Sequence, residues 1–376
     1  MKSYSHLWEV FISDSNIRTA IISASEGKRN RPTVSEYYNH IDEHIEEIRY
    51  YAEHFYNLPH HEIDINDGAT KKRRHIIIPQ FKEQIIHHML IQAMYPIIRP
   101  CMYEHSYAGI PGKGMFKGKK NRNVIGAKNT IEKWIRKDRK NTKYCLKMDI
   151  RHFYDTIDIS VLKRMLAKRI KDEKFLSVLF TVLDVKQTGL PIGFYTSGWL
   201  ANWLLNEMDH VIKERLGAVY YIRYADDMVI FGSNKRKLHQ IRKEIAAYLK
   251  NNLHLQMKRN WQVFRFSDLD SEGNDIYRSL DFLGFRFYRN RTVLRKTLIK
   301  SIRSKAHAIH TQGISLDRAE SYVSYSGWIN ASDTHAYYRN YIAQEQSFRD
   351  AEAFISETMK RRTYESELRN SYRITG

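Results

Sequence analysis

The stretch Tyr221-Ile222-Arg223-Tyr224-Ala225-Asp226-Asp227-Met228-Val229-Ile230-Phe231-Gly232 constrains this chain more than any other. Two adjacent carboxylates stand between two runs of β-forming residues. Residues 220–222 read as one short strand and 228–231 as another, with Asp226 and Asp227 in the tight turn between them. Ionised carboxylates side by side repel, so the pair costs stability unless a cation lies beside it. Hard oxygen ligands at a hairpin tip suit Mg²⁺, which takes one or two carboxylates plus substrate phosphates. Taken alone, a solvated Asp-Asp turn explains the pair better, because Asp is common in turns. A second carboxylate in a matching setting argues for more. The run Tyr144-Cys145-Leu146-Lys147-Met148-Asp149-Ile150 is rich in β-formers and brings Asp149 to a strand end, with Phe153 and Tyr154 just beyond. An Asp at one strand end and an Asp pair on a neighbouring hairpin can hold two metals a short distance apart, the arrangement for in-line phosphoryl or nucleotidyl transfer.

Composition narrows the partner. Lys and Arg number 62 against 42 Asp and Glu, a formal charge of +20. That excess calls for a polyanion, nucleic acid first and an anionic membrane surface second. At 376 residues the chain suits two or three packed subdomains, and 16 Phe with 25 Tyr supply a sizeable core. No apolar run is long enough for a spanning helix. Residues 1–13 lack the basic-then-apolar order of a signal peptide, so a cytoplasmic protein without a membrane partner is expected. Cys101 and Cys145 are the only cysteines, which argues against a disulfide scaffold or a cysteine zinc site. The His-His pairs at 60–61 and 87–88 read as ordinary helix or loop residues.

Along the chain, residues 7–24 read as one entry helix. The capping box Thr33-Val34-Ser35-Glu36 opens a second helix, whose apolar positions recur at helical spacing to Ala52. Residues 61–66 alternate like a strand, and Asp67-Gly68 signals a hairpin whose return strand carries Lys71, Lys72, Arg73 and Arg74. A charged solvent face and a phosphate-binding face are both open for that strand. A helix from Phe81 is expected to end near Pro96 and Pro100, and a basic helix to span residues 130–140. Between them, residues 107–120 mix glycines and lysines, read as a flexible basic loop or a template clamp. Residues 235–253 form a basic surface helix, residues 294–308 a basic helix, and residues 347–376 a charged amphipathic tail.

Tyr224-Ala225-Asp226-Asp227, with Asp149 and its following aromatics, resembles the palm motifs of reverse transcriptases. The resemblance runs from about Leu7 to about Ala343. It implies an α+β right-hand polymerase with fingers, palm and thumb, an antiparallel palm sheet and a helical thumb. The implied layout is an N-terminal helical extension at 1–60, fingers at 61–142, palm at 143–290 with finger helices inserted at about 160–190, and thumb and tail at 291–376. Asp149, Asp226 and Asp227 would be catalytic. They would hold two Mg²⁺ ions, with Mn²⁺ as a substitute, and Ile150 would add to the metal site. Lys72 and Arg74 would contact the incoming nucleotide. Tyr154 matches the steric gate against a 2′-hydroxyl, whereas Phe153 fits a core aromatic. Lys258 would protonate leaving pyrophosphate, unless it is simply solvated. Phe282, Leu283 and Gly284 resemble the primer grip, with Gly284 allowing the primer backbone close.

The turn at Ile192 and Gly193 opens a helix of small residues, which would let the backbone approach the new base pair and its nucleotide; most reverse transcriptases have Gln before Gly193, where this chain has Ile192. That replacement resembles the enzymes of diversity-generating retroelements, as does Tyr322-Val323-Ser324-Tyr325-Ser326-Gly327-Trp328. Gln can hydrogen-bond around a nascent pair and Ile cannot, so discrimination weakens and cDNA errors at template adenines are implied. The family usually continues Ser-Gln where this chain has Ser197-Gly198, and carries Arg where it has Ile110. The implied partners are template RNA, cDNA or primer, dNTPs, and a small basic, oligomeric accessory variability protein. Reverse transcriptases of retron, abortive-infection or group II intron type share the core motifs. A catalytically silent RNA-binding protein on the same fold is a further alternative.

Overall fold

A long apolar helix and a mixed sheet organise the first part of the chain. The structure is a computed structural model and describes residues 3–66, 73–108 and 122–374, with side chains through residue 361. The chain forms two compact units, Met1–Arg265 and Phe266–Gly376.

The first unit opens with α1 (Leu7–Phe11), α2 (Asp14–Ser25), α3 (Pro32–Asn39) and α4 (Ile41–Glu53). The single helix expected over 7–24 is two helices, because the Ser13 hydroxyl accepts from the Asn16 amide and starts α2 afresh. The capping box expected at Thr33 does not cap. Pro32 begins α3 at a position where its missing N–H costs nothing, and the chain breaks again at His40. A hairpin follows, β1 (His61–Asn66) and β2 (Arg73–Ile78), antiparallel and in register from His61 opposite Ile78 to Asn66 opposite Arg73. Next come α5 (Phe81–Cys101), β3 (Ser106–Tyr107), α6 (Val124–Lys137), β4 (Tyr144–Asp149), α7 (Phe153–Thr156), α8 (Ile159–Arg169) and α9 (Glu173–Leu183). The unit closes with α10 (Tyr195–His210) and its π-helical extension Val211–Arg215, then β5 (Tyr220–Tyr224), β6 (Asp227–Gly232), α11 (Lys235–Leu253) and β7 (Gln262–Arg265).

Helix α5 does not stop near Pro96. It runs to Cys101 with both prolines inside it. Buried Met94, Ile97 and Ile98 fix these turns by packing, which offsets the ~3 kcal/mol that an interior proline costs. The sheet has the order β3-β5-β6-β4-β7, antiparallel except for the β3–β5 pair. Its middle strand β6 buries Met228, Val229, Ile230 and Phe231 in succession, the run expected of a strand covered on both faces. Helix α11 packs across β4, β6 and β7, and α6 against β3 and β5.

The second unit contains β8 (Asp268–Leu269), β9 (Asp275–Ile276), β10 (Leu280–Phe282), β11 (Phe285–Phe287) and β12 (Thr292–Leu294). The helices α12 (Lys296–Gln312), α13 (Leu316–Val323), α14 (Ser326–Asn330), α15 (His335–Tyr341) and α16 (Phe348–Ile374) follow. Strands β10, β11 and β12 make an antiparallel sheet, and Phe282, Phe285, Phe287, Ile302 and Tyr322 are buried in this unit. Among the described residues no helix is long and apolar enough to cross a membrane. Both cysteines are unbridged.

Candidate active site

The hairpin β5–β6 carries the carboxylates, one residue out of the expected register. Tyr224 pairs with Asp227, so the two-residue turn is Ala225-Asp226 and Asp227 is the first residue of β6. Ala225 takes the left-handed φ of +52°, a conformation that hairpin turns usually fill with Gly or Asn. On the other side of β6, β4 pairs so that Asp149 stands directly opposite Asp227. The turn and the sheet register therefore gather Asp149, Asp226 and Asp227 at one end of the sheet. Asp149 is fixed from behind, since its carbonyl accepts from the Lys258 amide at 2.8 Å and Arg151 donates to the Gln256 carbonyl at 2.7 Å.

The electrostatics are those of a crowded acidic cluster with the Lys258 ammonium beside it. Burial, then the Asp149 carboxylate within hydrogen-bond reach, then Asp227 push the Asp226 carboxyl up to about 7. The Lys258 ammonium is ion-paired with Asp149 Oδ2, both side chains being half-buried. Lys258 is thus a counterion of the cluster and not a solvated surface lysine. Asp149 Oδ1 is buried without a hydrogen-bond partner. Among the described residues no group of three or more His, Cys, Asp or Glu side chains is gathered closely enough to cage a metal. Mg²⁺ does not require such a cage, because it binds through one or two carboxylates with substrate phosphates and water completing the octahedron. An orphaned buried oxygen, an uncompensated carboxyl and a hard-oxygen donor set fit a divalent cation here.

Tyr154 lies beside this cluster on the short helix α7. Its hydroxyl pKa is raised by burial first and then by Asp226, while Arg223 and Arg74 oppose the shift, so these groups share one electrostatic neighbourhood. Gly189 locks Tyr154 from below. A Cβ on Gly189 would fall 2.7 Å from the Tyr154 carbonyl, which accepts from the Leu190 amide at 2.7 Å. Arg74 is exposed on β2, opposite Ile65. Lys72, Ile110 and the glycine-lysine loop lie outside the described residues.

Ile192 and Gly193 meet β2. The Ile192 carbonyl accepts from the Ile77 amide at 2.8 Å, and a Cβ on Gly193, whose φ is +118°, would fall 2.3 Å from the Ile77 carbonyl. The expectation that this turn is small to admit a base pair needs correction on that point. The bare face of Gly193 admits the backbone of the β1–β2 hairpin and docks Arg74's strand against the turn that precedes α10. Behind Phe194 lies a buried set that the sequence did not signal. His87 and His60 pack against the Phe194 ring at 4.6 and 5.2 Å, and His60 bonds the fully buried Glu83 at 2.9 Å.

The grip residues lie in the second unit. Phe282 is fully buried, so its side chain is a core group rather than a primer contact. Leu283 and Gly284 form the β10–β11 turn with φ of +51° and +80°. A Cβ on Gly284 would meet Leu298 and Trp328 at 2.8 Å. The expected reason for this glycine, close primer approach, gives way to an internal one, the packing of Leu298 and Trp328.

Sequence reasoning also missed the neighbours of Arg223, which forms a buried ion pair with Asp209 at 2.6 Å. Arg223 stands in a β-forming run and Asp209 in a helix, and no spacing rule joins them.

Residues 63–287 match the family described as reverse transcriptase (RNA-dependent DNA polymerase). The chain is similar to Protein YkfC of Escherichia coli (strain K12), 24% identical over 247 residues that cover 54% of this chain and 62% of that protein. It is similar to the Retron Ec73 reverse transcriptase of Escherichia coli, 27% identical over 179 residues that cover 44% of this chain and 51% of that protein. The chain therefore spans about half to three-fifths of the length of these curated relatives. Among solved structures, apo telomerase from Candida tropicalis aligns with a TM-score of 0.44 at 12% identity, covering 70% of this chain and 56% of that one.

Proposed function

We propose a function from one premise: this chain belongs to the reverse transcriptase (RNA-dependent DNA polymerase) family, and so has the α+β right-hand polymerase fold. Its activity is RNA-directed DNA synthesis. The observation that carries this is the register that sets Asp149 opposite Asp227 with Asp226 at the adjoining turn. Asp149, Asp226 and Asp227 are the catalytic carboxylates; Asp149 and Asp226 would hold Mg²⁺, with Asp227 supporting and the Ile150 carbonyl as a further ligand. When bound, a pair of divalent ions lowers the pKa of the primer 3′-hydroxyl and neutralises charge on the leaving pyrophosphate.

The protein's own groups do the rest. Lys258 pairs with the Asp149 carboxylate and orients it until a cation displaces it. Arg74, with Lys72, orients the triphosphate through guanidinium and ammonium donors. Tyr154, held by the Gly189 turn, fills the space that a ribose 2′-hydroxyl needs. RNA template and primer are gripped through their backbones, consistent with a formal charge of +20 and with the need to accept any sequence.

The finer reading is a diversity-generating retroelement enzyme that works with a small, basic, oligomeric accessory protein in the cytoplasm. Ile192 supports it, since an apolar residue before Gly193 offers no hydrogen bond to a nascent pair. The similarity to a retron reverse transcriptase favours a second reading, a retron-type enzyme. Sequencing cDNA made on a defined RNA template separates them. The first predicts errors concentrated at template adenines, restored toward even fidelity in Ile192→Gln. Errors spread evenly over all four template bases favour the second, and absence of any cDNA overturns both.

A further inference from the structure

Arg223 lies in the first strand of the carboxylate hairpin, yet its side chain is 1% exposed. Its Nε and Nη2 grip Asp209 of α10 at 2.9 and 2.6 Å. Asp209 is itself wholly buried and accepts a further bond from the Tyr221 hydroxyl at 2.6 Å. Burying both ions is costly, and a hydrophobic pair of similar volume would serve stability as well or better. The remaining guanidinium hydrogens show what else the arginine does. Nη1 donates to the Ala225 carbonyl at 3.0 Å and to Asn202 Oδ1 at 2.8 Å, and Nη2 donates to Ser106 Oγ at 2.9 Å. Asn202 in turn donates to the Ala108 carbonyl at 3.0 Å. One planar group thus touches α10, β3 and the left-handed residue of the carboxylate turn.

We propose that Arg223 is a positioning residue: held by Asp209, it pins the Ala225 carbonyl and so fixes the turn that aims Asp226 at the metal position beside Asp149. Its consequence for turnover rests on the polymerase reading above. Its consequence for cation binding rests on the geometry of the turn. The shape of the side chain matters as much as its charge. A lysine at this position supplies a point charge with three donors, which cannot grip Asp209 and also reach Ala225, Asn202 and Ser106.

Two variants test this. Arg223→Lys keeps the charge. The double variant Arg223→Gln/Asp209→Asn removes both charges and leaves no buried ion unpaired. Folding is followed by circular dichroism melting, Mn²⁺ binding by electron paramagnetic resonance, and primer extension by steady-state kinetics. In folded variants we expect Mn²⁺ affinity to fall roughly 10-fold and kcat roughly 10- to 100-fold, as for other groups that orient metal ligands. The KM for the RNA template-primer should stay within about 2-fold, because phosphate contacts dominate that affinity. A folded variant with wild-type Mn²⁺ affinity and kcat overturns the proposal. So does failure of both variants to fold, which would make the arginine a purely structural element. If the wild-type chain extends no primer, the polymerase reading fails, and the Mn²⁺ measurement still decides whether Arg223 positions the turn.

Discussion

Replacing Asp226 with Asn should stabilise the metal-free protein at alkaline pH. Burial and the carboxylates of Asp149 and Asp227 push Asp226 up to about 7. The unfolded chain ionises an aspartate near ~3.9, so the native state holds the extra proton between roughly pH 4 and 7. A group raised in this way contributes stability that is fully present below its unfolded value and is lost as pH rises through its folded value. At about 1.4 kcal/mol per unit, ~3 units give a ceiling of ~4 kcal/mol for keeping this carboxylate ionised at pH 8. Relaxation of the turn and the persisting Lys258–Asp149 pair bring the expected gain of Asp226→Asn to ~2–3 kcal/mol at pH 8, falling to near zero at pH 4. Urea denaturation in a chelating buffer at both pH values measures it. Saturating Mg²⁺ should stabilise the wild type and erase much of the difference, because the cation removes the repulsion that the asparagine removes. A gain equal at both pH values, or no gain at pH 8, would refute the idea of an electrostatically frustrated cluster.

Gly193→Ala places a methyl 2.3 Å from the Ile77 carbonyl at a φ of +118°. We expect a loss of ~2–4 kcal/mol in chemical denaturation and a raised KM for dNTP as the β1–β2 hairpin shifts from α10. Tyr154→Ala should lower the preference for dNTP over rNTP roughly 10- to 100-fold in single-nucleotide incorporation, with a drop of several degrees in melting temperature from lost packing. His87 is wholly buried, neither ring nitrogen has a hydrogen-bond partner, and burial lowers its pKa to about 3. Its neutral form favours folding above about pH 6.5, and this contribution is lost as pH falls toward 3, where the unfolded chain takes up the proton first. His87→Leu should therefore flatten the fall in melting temperature between pH 6.5 and 4 while leaving the value at pH 8 nearly unchanged.

The sheet and its acidic end were legible because contiguous β-formers flank each carboxylate, as in Met228-Val229-Ile230-Phe231 and Cys145-Leu146. The exact turn was not legible. An alanine in the left-handed region is disfavoured locally, and the Arg223 contact to its carbonyl becomes visible only when β5, α10 and β3 meet. Pro96 misled for a related reason, since local propensity argues for a helix end there and burial of Ile97 and Ile98 decides against it, whereas the end does fall beside Pro100, at Cys101. Gly193 and Gly284 carried a true signal of close approach, but sequence alone does not say what approaches. In the structure it is the Ile77 carbonyl for one glycine and the side chains of Leu298 and Trp328 for the other.

Extension of a labelled DNA primer on an RNA template with dNTPs and Mg²⁺ tests the account most directly, using the wild type beside Asp149→Asn and Asp226→Asn. We expect full-length cDNA from the wild type, a loss of roughly 10³-fold or more in each variant, and unchanged or tighter RNA binding in both. Equal extension by the wild type and Asp226→Asn would contradict it.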